Sequence, residues 1–116
     1  MFAKKMNSPD EVRTLPKTKV EVVKVGDSTI MRGTFEPGWK WSACVKPTAG
    51  TNSCQAPHVG YVLSGRMKVV MDNGASQEIG SGDAVMIPPG HDAWVVGNES
   101  CVMIDFAAGS TYGKKA

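Results

Sequence analysis

The residues of this chain best suited to chemistry are two histidines, His58 and His91, and three cysteines, Cys44, Cys54 and Cys101. Imidazole and thiolate together suit zinc, copper or nickel, and disfavour magnesium and calcium, which prefer oxygen ligands. An odd cysteine count without paired spacing argues against a disulfide framework, and in a reducing compartment such thiols stay free or bind metal. A Cys44 to Cys54 disulfide is the competing arrangement, open only if the two Cα atoms lie close. Met67, Met86 and Met103 sit on neighbouring apolar runs, where a thioether could touch copper or simply fill a core gap. Cys101 opens the apolar run "CVMIDF" and reads as a small buried hydrophobe. Asp92 follows His91 and could orient its ring, whereas Asp83 reads as a bend residue bonded to backbone. No general acid–base pair stands out.

Composition removes several partner classes. Of 116 residues, 21% are charged and the net charge is only +2, with lysines scattered rather than clustered. Neither nucleic acid nor an anionic membrane is an expected partner. No stretch approaches the roughly 18 uninterrupted apolar residues of a membrane span, and the start lacks a signal-peptide core. The expected location is therefore the cytoplasm.

The elements that must position these residues are strands. Residues 1–17 carry charge, Ser-Pro and Leu-Pro without periodicity, and are expected to form an arm. From 18 to 110 the chain is a series of short β-branched and aromatic runs, "KVEVVKV", "STIMRGTFE", "WKWSACVK", "HVGYVLSG", "RMKVVMD", "DAVMIPP", "DAWVVG" and "CVMIDFA". Residues 111–116 remain as a tail. Turn signals separate the runs, and Asn73-Gly74 is the strongest hairpin signal among them. About eight antiparallel strands must close into a small barrel or stack as a jelly roll to hide their edges.

Within this pattern, "GSGDAVMIPPG" pairs a Gly-Asp bend with a Pro-Pro-Gly turn, and "HVGYVLSG" closes on Gly65. Together these stretches, from Pro37 to Phe106, resemble the two motifs of the cupin superfamily. The resemblance implies an all-β fold, the double-stranded β-helix or jelly-roll β-barrel, with one metal pocket at the barrel mouth. Aligned with those motifs, Cys44 and Lys46 occupy the two positions of the family's His-x-His pair. His58 stands where the family has glutamate, and Ala93 where it has its last histidine. The usual three-histidine, one-glutamate site is absent, so activities that depend on it do not transfer.

A softer donor set takes its place. Residues two apart in a strand share a face, so an extended chain at His91 would point its imidazole the same way as Ala93, into the pocket. His58, Cys44 and Cys54, the last on an unusually long loop "PTAGTNSCQAP", complete the expected metal ligands. If Cys44 faces inward on a strand, Trp39 and Trp41 face outward and need cover, which predicts a homodimer. The expected function is binding of a transition metal (zinc, copper or nickel), a small-molecule ligand, or both in the barrel mouth. The alternative is a metal-dependent enzyme of isomerase, dioxygenase or lyase type on a small polar metabolite. A third reading, a metal-free interaction module, predicts that His58 and His91 point apart.

Overall fold

A computed structural model describes residues 1–115, which form nine strands and two short helices. In chain order these are β1 (Glu11–Leu15), β2 (Thr18–Val25), β3 (Ser28–Phe35), α1 (Trp41–Cys44), α2 (Lys46–Ala49), β4 (His58–Ser64), β5 (Arg66–Met71), β6 (Ser76–Gly80), β7 (Ala84–Ile87), β8 (His91–Val96) and β9 (Cys101–Asp105). All pairings are antiparallel. They build a six-stranded sheet, β1-β2-β3-β9-β4-β7, and a three-stranded sheet, β6-β5-β8. The fold is an all-β jelly roll, but its hydrogen-bonded ladder does not close into a barrel. Among the described residues no helix is long and apolar enough to cross a membrane.

The two sheets enclose one core, including Val20, Val22, Met31, Phe35, Val62, Met67, Val69, Val95 and Met103. Strict alternation places it: β8 and β9 bury every second residue, His91, Ala93 and Val95 on one, Cys101, Met103 and Asp105 on the other. Asn73 and Gly74 turn the β5–β6 hairpin as the sequence predicts, with Gly74 at φ 92°.

Three expectations are corrected. The run "WKWSACVK" is not a strand. Only Lys40 bridges Trp94, after which the chain coils through α1 and α2. Pro47 in the first turn of α2 and left-handed Gly50 at its end are ordinary helix start and stop signals. Trp39 and Trp41 consequently face inward, each 2% exposed, so the argument that they need a partner's cover fails. The segment expected to form an arm contributes β1, which pairs with β2 from Glu11↔Val22 to Leu15↔Thr18. The tail beyond 110 returns to the core, burying Tyr112; residue 116 lies outside the described residues.

One close approach fixes the register on which the site depends. Gly60 pairs with Asp105 across β4 and β9, and a methyl group on Gly60 would overlap the Ile104 carbonyl oxygen. Gly60→Ala is therefore expected to destabilise the protein by about 3 kcal/mol. Gly74→Ala, which strains only a left-handed turn open to solvent, should cost about 1 kcal/mol. Urea unfolding of the two variants tests this ordering.

Candidate metal centre

Two strands and one loop bring three donors together. His58 begins β4 and His91 begins β8, on opposite sheets. The loop carrying Cys54 is stitched to β8 by backbone: Cys54 N–H donates to the His91 carbonyl at 2.7 Å, and Gly90 N–H to the Cys54 carbonyl at 2.7 Å. Cys54 and His91 thus form a β-bridge. Ser53 Oγ donates to Asp72 Oδ2 at 2.8 Å, holding the same loop from its other side. Although it lies on a loop, Cys54 is only 3% exposed. One donor atom from each of Cys54, His58 and His91 lies within 4.8 Å of the others. The imidazole rings are 5.1 Å apart, against the prediction of a metal-free module that they would diverge.

The ring orientations follow from their partners. His58 Nδ1 lies 2.6 Å from Asp105 Oδ2, and His91 Nδ1 lies 2.8 Å from the Pro88 carbonyl oxygen. A carbonyl or carboxylate oxygen only accepts, so both rings carry hydrogen on Nδ1 and keep Nε2 for the site. For His58 that nitrogen sits 3.7 Å from Cys54 Sγ. Burial alone would lower the His58 pKa, but hydrogen bonds to Asp105 and then to Cys54 override it and push it up to about 9. Burial likewise opposes a thiolate at Cys54, yet hydrogen bonds from His58 and His91 bring its pKa down to about 6. Asp105 stays ionised despite burial, held below its ordinary value by His58 and by the amides of Ala107 and Ala108.

The donor set fits a transition metal. Imidazole Nε2 atoms fixed by oxygen acceptors on Nδ1 are the usual setting of metal-bound histidine. The 3.7 Å between Cys54 Sγ and His58 Nε2 is near the roughly 3.6 Å that separates sulfur and nitrogen ligands on a tetrahedral zinc ion. Three protein donors leave one position open, and the arrangement opens on an apolar cavity lined by Phe35, Trp39, Trp41, Met67, Met103 and Tyr112. This cavity measures about 30 Å³, room for one or two water-sized molecules. Trp39 lines it, and its Nε1–H is the one buried side-chain polar atom among the described residues without a hydrogen-bond partner.

Tyr112 is the stopper. Its ring centroid lies 5.5 Å from that of His58 and 6.2 Å from that of Phe35. Outside it, a groove of about 390 Å³ reaches Trp41, Cys54 and Tyr112 from solvent. The segment that carries Tyr112 is clamped by Arg13 on β1, which donates to the Tyr112 carbonyl at 2.6 Å and the Gly109 carbonyl at 2.8 Å.

Of the four ligands expected from sequence, the structure groups His58, His91 and Cys54. Cys44 is buried on α1 outside that group, because the helix replaces the strand whose alternation would have aimed it inward. All three cysteines are unbridged. Met86 is 71% exposed on the opposite face of its sheet and cannot join a pocket ligand set, while Met67 and Met103 line the cavity. Asp92 does not orient His91; its Oδ1 accepts from the Ser42 and Ala93 amides. Asp83 bonds the Gly80 amide at 2.8 Å, as its bend position predicts. Sequence reasoning missed Asp105 and Tyr112. Asp105 was visible in principle, as the one charged residue on the buried phase of "CVMID".

A family model described as a cupin domain matches residues 47–107. Among solved structures the chain is similar to the polyketide cyclase RemF from Streptomyces resistomycificus, at 20% identity and a TM-score of 0.64, covering 94% of this chain and 80% of that one. It is also similar to KdgF from Halomonas sp., at 18% identity and a TM-score of 0.57, covering 84% and 86%. A cupin-like protein from Thermotoga maritima matches at 18% identity and a TM-score of 0.56, covering 88% and 75%. No curated protein matches. At these identities the structures speak for the fold alone, but together with the family model, which spans more than half of the sequence, they settle the lineage: the chain belongs to the cupins.

Proposed function

We propose that this protein binds a transition metal ion, zinc, copper or nickel, through Cys54, His58 and His91, and presents its open position to a small ligand. The observation that carries this reading is the convergence of three buried soft donors whose two imidazoles are each fixed by an oxygen acceptor on Nδ1. When bound, such an ion supplies Lewis acidity and lowers the pKa of a water in its open position. The protein's own groups do the rest. Asp105 and the Pro88 carbonyl hold the rings, and Tyr112 excludes solvent.

The cavity size favours binding or sensing over turnover of a metabolite. A volume of about 30 Å³ holds one or two water-sized molecules, and the His58–Asp105 pair that lines it is engaged in holding a ligand ring. The metal-dependent enzyme remains the second reading for one reason. The outer groove and the inner cavity share Trp41 and Tyr112, so displacement of Tyr112 would join them into a space of metabolite size.

Metal analysis by mass spectrometry on protein purified without chelator should find about one zinc, copper or nickel ion per chain. Cys54→Ala and His58→Ala should lose it, and Cys44→Ala should keep it. Metal-free wild-type protein refutes the reading. Asp105→Asn should weaken metal affinity about 10- to 100-fold, because it removes the acceptor that fixes His58.

Protonation gives a third outcome. At neutral pH Cys54, with a pKa of about 6, is already a thiolate, while His58, at about 9, still holds its Nε2 proton. Metal must displace that proton, so affinity should rise with pH up to about 9 and calorimetry in buffers of differing ionisation enthalpy should show about one proton released per ion. Finally, Tyr112→Ala should speed alkylation of metal-free Cys54 at least tenfold, as peptide mapping would show. Cys101, fully buried and pushed up to about 11 by burial and by Glu99, should stay unmodified.

A further inference from the structure

Cys54, His58 and Asp105 form one line of hydrogen bonds. Cys54 Sγ lies 3.7 Å from His58 Nε2, and His58 Nδ1–H donates to Asp105 Oδ2 at 2.6 Å. A sulfur atom, an imidazole within hydrogen-bond reach of it, and a carboxylate fixing the far side of that imidazole are the three parts of an activated thiol nucleophile. The sulfur is also held in place by its loop. Two backbone bonds of 2.7 Å tie Cys54 to Gly90 and His91, and Gln55 Nε2 donates to Ser53 Oγ at 3.0 Å within the same loop.

A reactant meets this thiol from the outer groove. Cys54 is among the residues that line that groove and not among those that line the inner cavity. The groove, about 390 Å³, has apolar walls at Trp41, Val45, Ala49, Ala56 and Pro57, the size and character of a small-molecule pocket. Lys114 and Lys115 also line it, and an ammonium group donates to a carbonyl oxygen. His58 lines the inner cavity and not the groove. It can take the sulfur's proton but is not placed to protonate a leaving group, so a reaction that expels none fits the site.

We infer that Cys54 is the nucleophile of a Cys54–His58–Asp105 triad that captures α,β-unsaturated carbonyl compounds by thiol addition from the outer groove. The thiol proton passes to His58 Nε2, and a sulfur electron pair forms a C–S bond at the β-carbon. The carbon–carbon π pair shifts toward the carbonyl as an enolate. The α-carbon then takes a proton from water in the groove, balanced by the one His58 took up. Nothing is oxidised or reduced, and no other reactant is consumed. This activity does not rest on the metal reading, since an ion and an electrophile would compete for the same sulfur.

The probe is cyclohex-2-enone, added to the full-length protein as purified and after dialysis against chelator, with adducts read by intact mass and peptide mapping. In the dialysed protein Cys54 should take up one enone, at a rate that saturates as the probe fills the groove and exceeds that of the urea-unfolded chain about tenfold. Cys54→Ser should abolish the adduct, and His58→Gln should slow it about 100-fold. Ala49→Trp, which fills the groove from a partly buried position outside the triad, should slow it about tenfold with unchanged circular dichroism. The proposal is overturned by an adduct that forms no faster than in urea, by a rate unmoved by either His58→Gln or Ala49→Trp, or by equal labelling of Cys44 and Cys101. Oxidation by hydrogen peroxide at a Cys54 that takes up no enone also overturns it, assigning the thiol to an oxidant. Added zinc should block the reaction; an adduct formed undiminished in its presence would count against the metal reading and leave this one standing.

Discussion

The structure turns on a buried carboxylate. Asp105 is 2% exposed, and removing a charged group from water costs several kcal/mol unless its bonding is complete. It is met by His58 Nδ1–H at 2.6 Å on one oxygen, and by the amides of Ala107 and Ala108 at 2.8 and 3.0 Å on the other. The first bond sets the tautomer and direction of His58. The other two start the turn that carries the chain away from β9 and on to Tyr112, whose amide bonds the Ala108 carbonyl at 2.9 Å. One side chain therefore aims a ligand and seats the stopper. The β4–β9 register at Gly60 places it there, because it sets Asp105 diagonally across from His58 on the inner face.

The site is built at the seam of two sheets. His58 lies on the larger, His91 on the smaller, and Cys54 on the loop that a backbone bridge joins to the smaller. Because the ladder does not close, the two sheets are tied at this mouth by side-chain packing, the bridged Cys54 loop and this donor set. An ion held by all three donors would act as a cross-link between them. The thiolate and imidazolium that the metal-free protein keeps there are a weaker form of the same tie, an ion pair of about 3.7 Å rather than a shared metal.

Much of this was legible from sequence and some was not, for physical reasons. Period-two alternation, the Asn73-Gly74 hairpin and the two glycine-rich bends were enough for the jelly roll. His91 was legible as an inward residue because its strand starts one residue pair before Ala93. Trp39 to Cys44 was not, because two large aromatic rings at positions i and i+2 read as one strand face, and the pull of an unfilled core outweighed that periodicity. The helix signals Pro47 and Gly50 were present but short-range. Asp105 was hidden by its apolar neighbours, and the role of Tyr112 depends on contacts with His58 and Phe35 that no local pattern encodes.

Arg13 adds a consequence of its own. It sits on β1, an edge strand, and holds the carbonyls of Gly109 and Tyr112. Edge strands fray before central ones, and local opening needs far less free energy than global unfolding. The Tyr112 segment over the candidate site is thus latched to one of the two edge strands of its sheet. Fraying of β1 would free those carbonyls and loosen Tyr112, so access to the inner cavity would be governed from a strand that lines no part of it.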